Sequence, residues 1–145
     1  MAILRLSVAA ANTSVNAIIN LIDASVQPGY IEFYDNSGGM PASVASAPTG
    51  ILLATLTLAK PSFGSPTNGT ATANPTNPST AIVAGGPYNI GWARIYDGAG
   101  NAIMDADVGL NSATATYTIN ITNGPTVNSG DKIIINSFSL SQPGI

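Results

Sequence analysis

Apart from five tyrosines, the ionisable side chains of these 145 residues are seven carboxylates and four cations: Asp23, Glu32, Asp35, Asp97, Asp105, Asp107 and Asp131 against Arg5, Lys60, Arg94 and Lys132. Histidine and cysteine are absent. Catalytic bases, nucleophiles and metal ligands are drawn mostly from the types that are scarce or missing here. Serine is abundant, but the usual serine triad lacks its histidine. A Ser–Lys dyad is formally open, yet Lys60 and Lys132 flank turns, where lysines are ordinarily solvated. Gly85-Gly86 and Gly98-Ala99-Gly100 do not form a phosphate loop, because no Gly-Lys-Ser/Thr follows them.

Three arrangements remain worth placing. Asp97, Asp105 and Asp107, with the Asn101 side-chain oxygen, come near one another if the segment folds as a hairpin. Such oxygens suit Ca²⁺, although the spacing is not that of an EF-hand and the two later acids equally suit the solvent face of a strand. Glu32 and Asp35 offer the paired carboxylates of glycoside hydrolysis, but a straight strand puts them on opposite faces. Trp92, Tyr96, Tyr30 and Tyr34 make either a sugar-stacking platform or part of a core. Taken together, these residues lead us to expect neither a catalytic centre nor a cofactor, and instead a chain built to hold a shape and present a surface.

The elements that must position these residues are mainly β. Val15, Ile18, Ile19 and Ile22 recur at helical spacing, predicting one helix over residues 12–24, capped by Asn12, Thr13 or Ser14 and ended by Gln27-Pro28-Gly29. Its apolar face either packs on the chain's own β structure or makes an oligomer contact. Strands are expected over residues 30–34, 51–58, 90–96, 102–108, 115–122 and 132–140, with a short one near 70–73. In the second, Leu52, Ala54, Leu56 and Leu58 form the core-facing set. Gly98 and Gly100 are expected to supply the positive φ of a tight reversal. Residues 61–87 read as a long loop rich in Pro, Asn, Thr and Ser. The segments 31–36 and 93–98 echo each other, each ending a strand in Tyr-Asp before a turn. The expected fold is an antiparallel β-sandwich or jelly-roll-like barrel, one domain over 1–145, with a helical segment 1–27 and a β part 28–145.

The net charge is −3 and no Lys/Arg cluster is present, which disfavours nucleic acid as a partner. No apolar run approaches the roughly 20 residues of a membrane helix, and the N-terminus lacks the charge order of a signal peptide. So few charges give weak colloidal repulsion, which suits a subunit of an assembly, either a trimer or a dimer of this chain.

The strings Ile31-Glu32-Phe33-Tyr34-Asp35, Gly50 through Leu58, Pro61-Ser62-Phe63-Gly64, Trp92 through Asp97, Ile103 through Gly109 and Ser137-Phe138-Ser139-Leu140 resemble a group of small virion proteins of tailed bacteriophages. The resemblance spans most of residues 3–140 and consists of strand and turn signatures. It implies a β-rich decoration or cement protein, assembled in the host cytoplasm. Such a protein sits on the outer capsid, bridges major capsid protein subunits and brings no catalytic residues. The Pro/Asn-rich stretch at 74–79 departs from the group's pattern. The competing reading is a carbohydrate- or receptor-binding module of a tail fibre or baseplate, resting on the Tyr/Trp set.

Overall fold

The computed structural model describes residues 3–81, 84–112 and 116–142. The fold is mainly β with one N-terminal helix, α1, Val8–Ile22. The strands, in chain order, are β1 Tyr30–Asp35, β2 Leu52–Thr57, β3 Thr70–Thr72, β4 Ser79–Thr80, β5 Tyr88–Tyr96, β6 Ala102–Gly109, β7 Ile119–Ile121, β8 Thr126–Val127, β9 Lys132–Ile133 and β10 Ile135–Ser141. The main sheet runs β2-β1-β5-β6-β7-β10-β3, with β8 beside the start of β5, and β4 pairs separately with β9. The path is open at β2 and β3, so it does not close into a barrel. Every pairing is antiparallel except β6 with β7, which is parallel. Among the described residues no helix is long and apolar enough to cross a membrane.

The helix begins four residues earlier than the periodicity predicts and ends two earlier. Ser7 is the N-cap, its hydroxyl accepting from the Ala10 N–H at 3.1 Å. The Val8-Ala9-Ala10-Ala11 run follows it, and alanine has the highest helix propensity. The residues expected to cap lie inside the helix instead. Thr13 and Ser14 turn their hydroxyls back onto the Ala9 and Ala10 carbonyls. Asn12 reaches out of the helix to accept the Gly69 N–H at 2.7 Å. At the other end Lys60 donates to the Asp23 and Ser25 carbonyls, placing a cation where the helix dipole is negative. The Asp23 carboxylate in turn accepts the Ser62 N–H. Ala11, Val15, Ile19 and Ile22 are buried and pack toward β3 and β6.

Val15, Ile19 and Ile22 join one contiguous core with Ile31 and Phe33 of β1, Leu53 and Leu56 of β2, Ile95 of β5, Ile119 of β7 and Phe138 of β10. In β2, Ala54, Leu56 and Leu58 face this core as expected, but Leu52 is only half-buried and Leu53 is fully buried. The cause is a bulge: Phe33 pairs with Ala54 and Tyr34 with Leu52, so Leu53 is the extra residue and turns inward. The final expected strand is likewise broken at Ile134 into β9 and β10. Of the strand expected over 115–122, Ala115 lies outside the described residues and only Ile119–Ile121 is strand. Within the stretch 61–87 the short strand expected near 70–73 is β3, and β4 is a second one inside the expected loop; Ile82 and Val83 of that stretch lie outside the described residues.

Candidate functional site

The central strands β1, β5 and β6 have two unlike faces. Side chains alternate along a strand, and the registers Ile31↔Ile95, Phe33↔Ala93 and Ile95↔Met104 put apolar residues on the core face. The registers Tyr30↔Tyr96, Glu32↔Arg94, Tyr34↔Trp92, Arg94↔Asp105 and Trp92↔Asp107 put the aromatic and charged residues together on the other. The echoing segments of β1 and β5 are therefore direct antiparallel partners.

This second face is closely packed. Tyr30 stacks on Tyr96 at 4.8 Å between ring centroids, and Tyr34 stacks on Trp92 at 4.7 Å. The Arg94 guanidinium lies over the Trp92 ring, 5.4 Å from its centroid. It also grips Asp105 with two bonds, Nε to Oδ1 at 2.7 Å and Nη2 to Oδ2 at 2.9 Å. Its third bond, from Nη1, goes to the Ser46 carbonyl at 2.7 Å and ties the segment between β1 and β2 across this face. The Tyr34 hydroxyl donates to Glu32 at 2.6 Å. Tyr34, Trp92 and Arg94 are buried; Tyr30, Glu32 and Tyr96 are half-buried.

The electrostatics follow from that packing. The hydrogen bonds that Arg94 donates to Asp105 hold its guanidinium above its ordinary pKa, against the opposing effect of desolvation. Burial pushes the Tyr34 hydroxyl far up, reinforced by its bond to the Glu32 carboxylate. Burial first raises Tyr30 and Tyr96 as well, followed by the Glu32 charge for Tyr30 and by hydrogen bonding to Glu32 and then its charge for Tyr96.

The carboxylates weighed as weak calcium ligands each have other partners. Asp97 sits at the far end of the β5–β6 hairpin. It accepts from the Ala99 N–H, the Asn101 N–H and the Asn101 side-chain amide, which hold its pKa below the ordinary carboxylate value. Asp105 is paired with Arg94, and Asp107 accepts the Thr118 N–H at 2.9 Å. Among the described residues no three acidic side chains gather into a cation site. Glu32 and Asp35 also part: Glu32 takes the Tyr34 hydroxyl, while Asp35 takes the Ile51 N–H at 2.7 Å and the Ser37 hydroxyl. Lys132 donates to the Thr80 hydroxyl. Gly100 has the expected positive φ, +91°. Gly98 does not; it is glycine because a Cβ there would run into the Gln27 carbonyl.

Of the residues expected on an apolar contact face, Val15, Ile19 and Ile22 lie in the chain's own core and Ile18 is half-buried at its edge. The exposed apolar residues around them are others: Ile3, Leu4, Val8, Leu21 and Val26. Sequence reasoning missed the Arg94–Asp105 pair. Counted back from the Asp97–Asn101 turn, a regular hairpin register puts Arg94 opposite Met104; a bulge between Ile95 and Tyr96 moves it opposite Asp105, and no sequence signal marks that shift. No family model, curated protein or solved structure matches the chain.

Proposed function

We propose that this chain is a structural virion protein that binds the outer surface of a bacteriophage capsid and stabilises it by bridging major capsid protein subunits. The observation that carries the reading is how the side chains are divided between inside and outside. Glu32, Asp35, Arg94, Asp97 and Asp105 are used in internal hydrogen bonds, while apolar groups are left outside. Ile3 is 70% exposed, Leu4 78% and Val26 91%. Ile3 and Leu4 lie ahead of α1.

The sheet edge adds a second kind of contact. Strand β2 ends the path, and beside it a groove of about 580 Å³ runs between residues 55–59 and 75–80. Thr55 and Thr57 are exposed there. The Thr55 carbonyl already accepts the Ser79 hydroxyl, but this edge has no strand partner among the described residues, and such an edge offers backbone groups to an extended segment of a neighbour. A protein that binds only the assembled shell stabilises it by mass action. The test is co-sedimentation with shells stripped of minor proteins. Saturable binding to shells, with none to unassembled subunits, is expected; absence of binding to shells overturns the reading.

The competing reading, a glycan- or receptor-binding module of a tail, is favoured by one observation: the Tyr30–Tyr96 stack is half-exposed. Trp92, 1% exposed, is unavailable to a ligand in this structure. That reading therefore requires binding to host glycans that is lost in Tyr96→Ala while the fold survives.

A further inference from the structure

We propose that Asn123 is a self-modifying site, at which the side-chain amide of the folded protein converts through a cyclic imide to aspartate and isoaspartate. The sequence holds two Asn-Gly pairs, Asn68-Gly69 and Asn123-Gly124. In such a pair the glycine nitrogen, shielded by no side chain, can attack the asparagine Cγ. A bond forms between that nitrogen and Cγ, the Cγ–Nδ2 bond breaks, and ammonia leaves. Water then opens the imide at either carbonyl. One product is a normal aspartate; the other has its main chain rerouted through the side chain. No oxidant, reductant or enzyme enters the balance.

The two pairs differ in whether that nitrogen is free to move. At the first, the Gly69 N–H donates to Asn12 Oδ1 at 2.7 Å, and the Gly69 carbonyl accepts the Gln142 N–H at 2.8 Å. Thr67 and Thr70 close the turn with reciprocal backbone bonds of 2.8 and 3.0 Å. Attack at Gly69 requires breaking this clamp. At the second, Asn123 is exposed, and its amide makes one long bond, 3.4 Å, to the Lys132 carbonyl. Gly124 has φ +78°, with nothing within 4 Å of the position a Cβ would take. Among the described residues its N–H has no hydrogen-bond acceptor. The pair lies in the turn between β7 and β8.

The conversion replaces a neutral amide with a carboxylate, taking the net charge from −3 to −4. It does so at the rim of a cavity of about 220 Å³, which Asn123, Gly124, Asp131 and Lys132 help to line. The isoaspartate form also lengthens a turn whose Pro125 carbonyl accepts the Ile90 N–H at 2.8 Å. The site therefore acts as a one-way clock that alters charge and turn geometry at one end of the sheet.

The test is peptide mapping by mass spectrometry of the native protein aged at mildly alkaline pH, with isoaspartyl methyltransferase labelling as a second readout. We expect conversion at Asn123 to run at least an order of magnitude faster than at Asn68, because Asn68 must wait for local opening. In urea the two sites should converge. Labelling should disappear in Asn123→Gln. Two results overturn the proposal: Asn123 intact over the time in which a free peptide of residues 121–127 converts, or Asn68 converting as fast as Asn123 in the native protein.

Discussion

Arg94 and Asp105 face each other across β5 and β6 as a two-bonded ion pair, with side chains only 3% and 7% exposed. Removing one partner of a buried pair strands the other charge, whereas replacing both with apolar residues can be neutral. Asp105→Ala should cost about 3–5 kcal/mol in urea unfolding, and Arg94→Met with Asp105→Leu should recover most of that. Because Arg94 also holds the Ser46 carbonyl, the single change Arg94→Met should expose the segment between β1 and β2 to proteolysis before the rest of the chain unfolds.

The inner and outer sides of the helix differ in burial. Ile22 is fully buried and Leu21 is 55% exposed. Ile22→Ala should lower stability by about 2–5 kcal/mol, the usual cost of a cavity at a well-packed site. Leu21→Asp should leave thermal unfolding nearly unchanged. If the outer side of the helix contacts the shell, it should weaken co-sedimentation with shells.

Asp97 makes stability depend on acid. Its carboxyl is held below its ordinary value, first by the Asn101 side-chain amide and then by the backbone N–H groups of its turn. A depressed folded pKa contributes stability that is complete above the unfolded value, about 3.9 for aspartate, and is lost as pH falls through the folded value. The difference in Tm between the native chain and Asp97→Ala should be constant near neutrality and narrow in acid.

The tyrosines on the same face behave oppositely. Burial raises Tyr30, Tyr34 and Tyr96, and the Glu32 charge adds to it. Their neutral forms therefore favour the fold below the unfolded value, about 10, and this contribution is lost as pH rises beyond it. In an absorbance titration the buried Tyr34 should ionise only together with unfolding, and the half-buried Tyr30 and Tyr96 should ionise above the ordinary phenol value. Glu32→Gln should lower the pH at which that happens.

The hairpin that carries the polar face was legible from sequence. Trp92, Arg94 and Tyr96 alternate with Ala93 and Ile95, and the two faces diverge as that alternation requires. The helix was legible in its apolar stripe but not in its start, because three alanines carry no periodicity and Ser7 acts as a cap without a neighbouring charge. Leu53 could not be assigned, since a bulge shifts the strand's faces and leaves no mark in an all-apolar run. The three carboxylates weighed for calcium have other partners. Proximity in the chain did not disclose that Asp105 was taken by Arg94 and Asp97 by its own turn. The short strands β4 and β8, two residues each, are set by pairing with distant strands and have no local pattern to detect.

The central claim, the proposal that this chain is a phage capsid-surface protein, is tested most directly by cryo-electron microscopy of purified phage particles from a source that carries its gene. The account predicts many copies of a domain of 14.6 kDa over the shell, each contacting more than one capsid subunit. A bare shell, with the protein found only at the tail or absent from the particle, would contradict it.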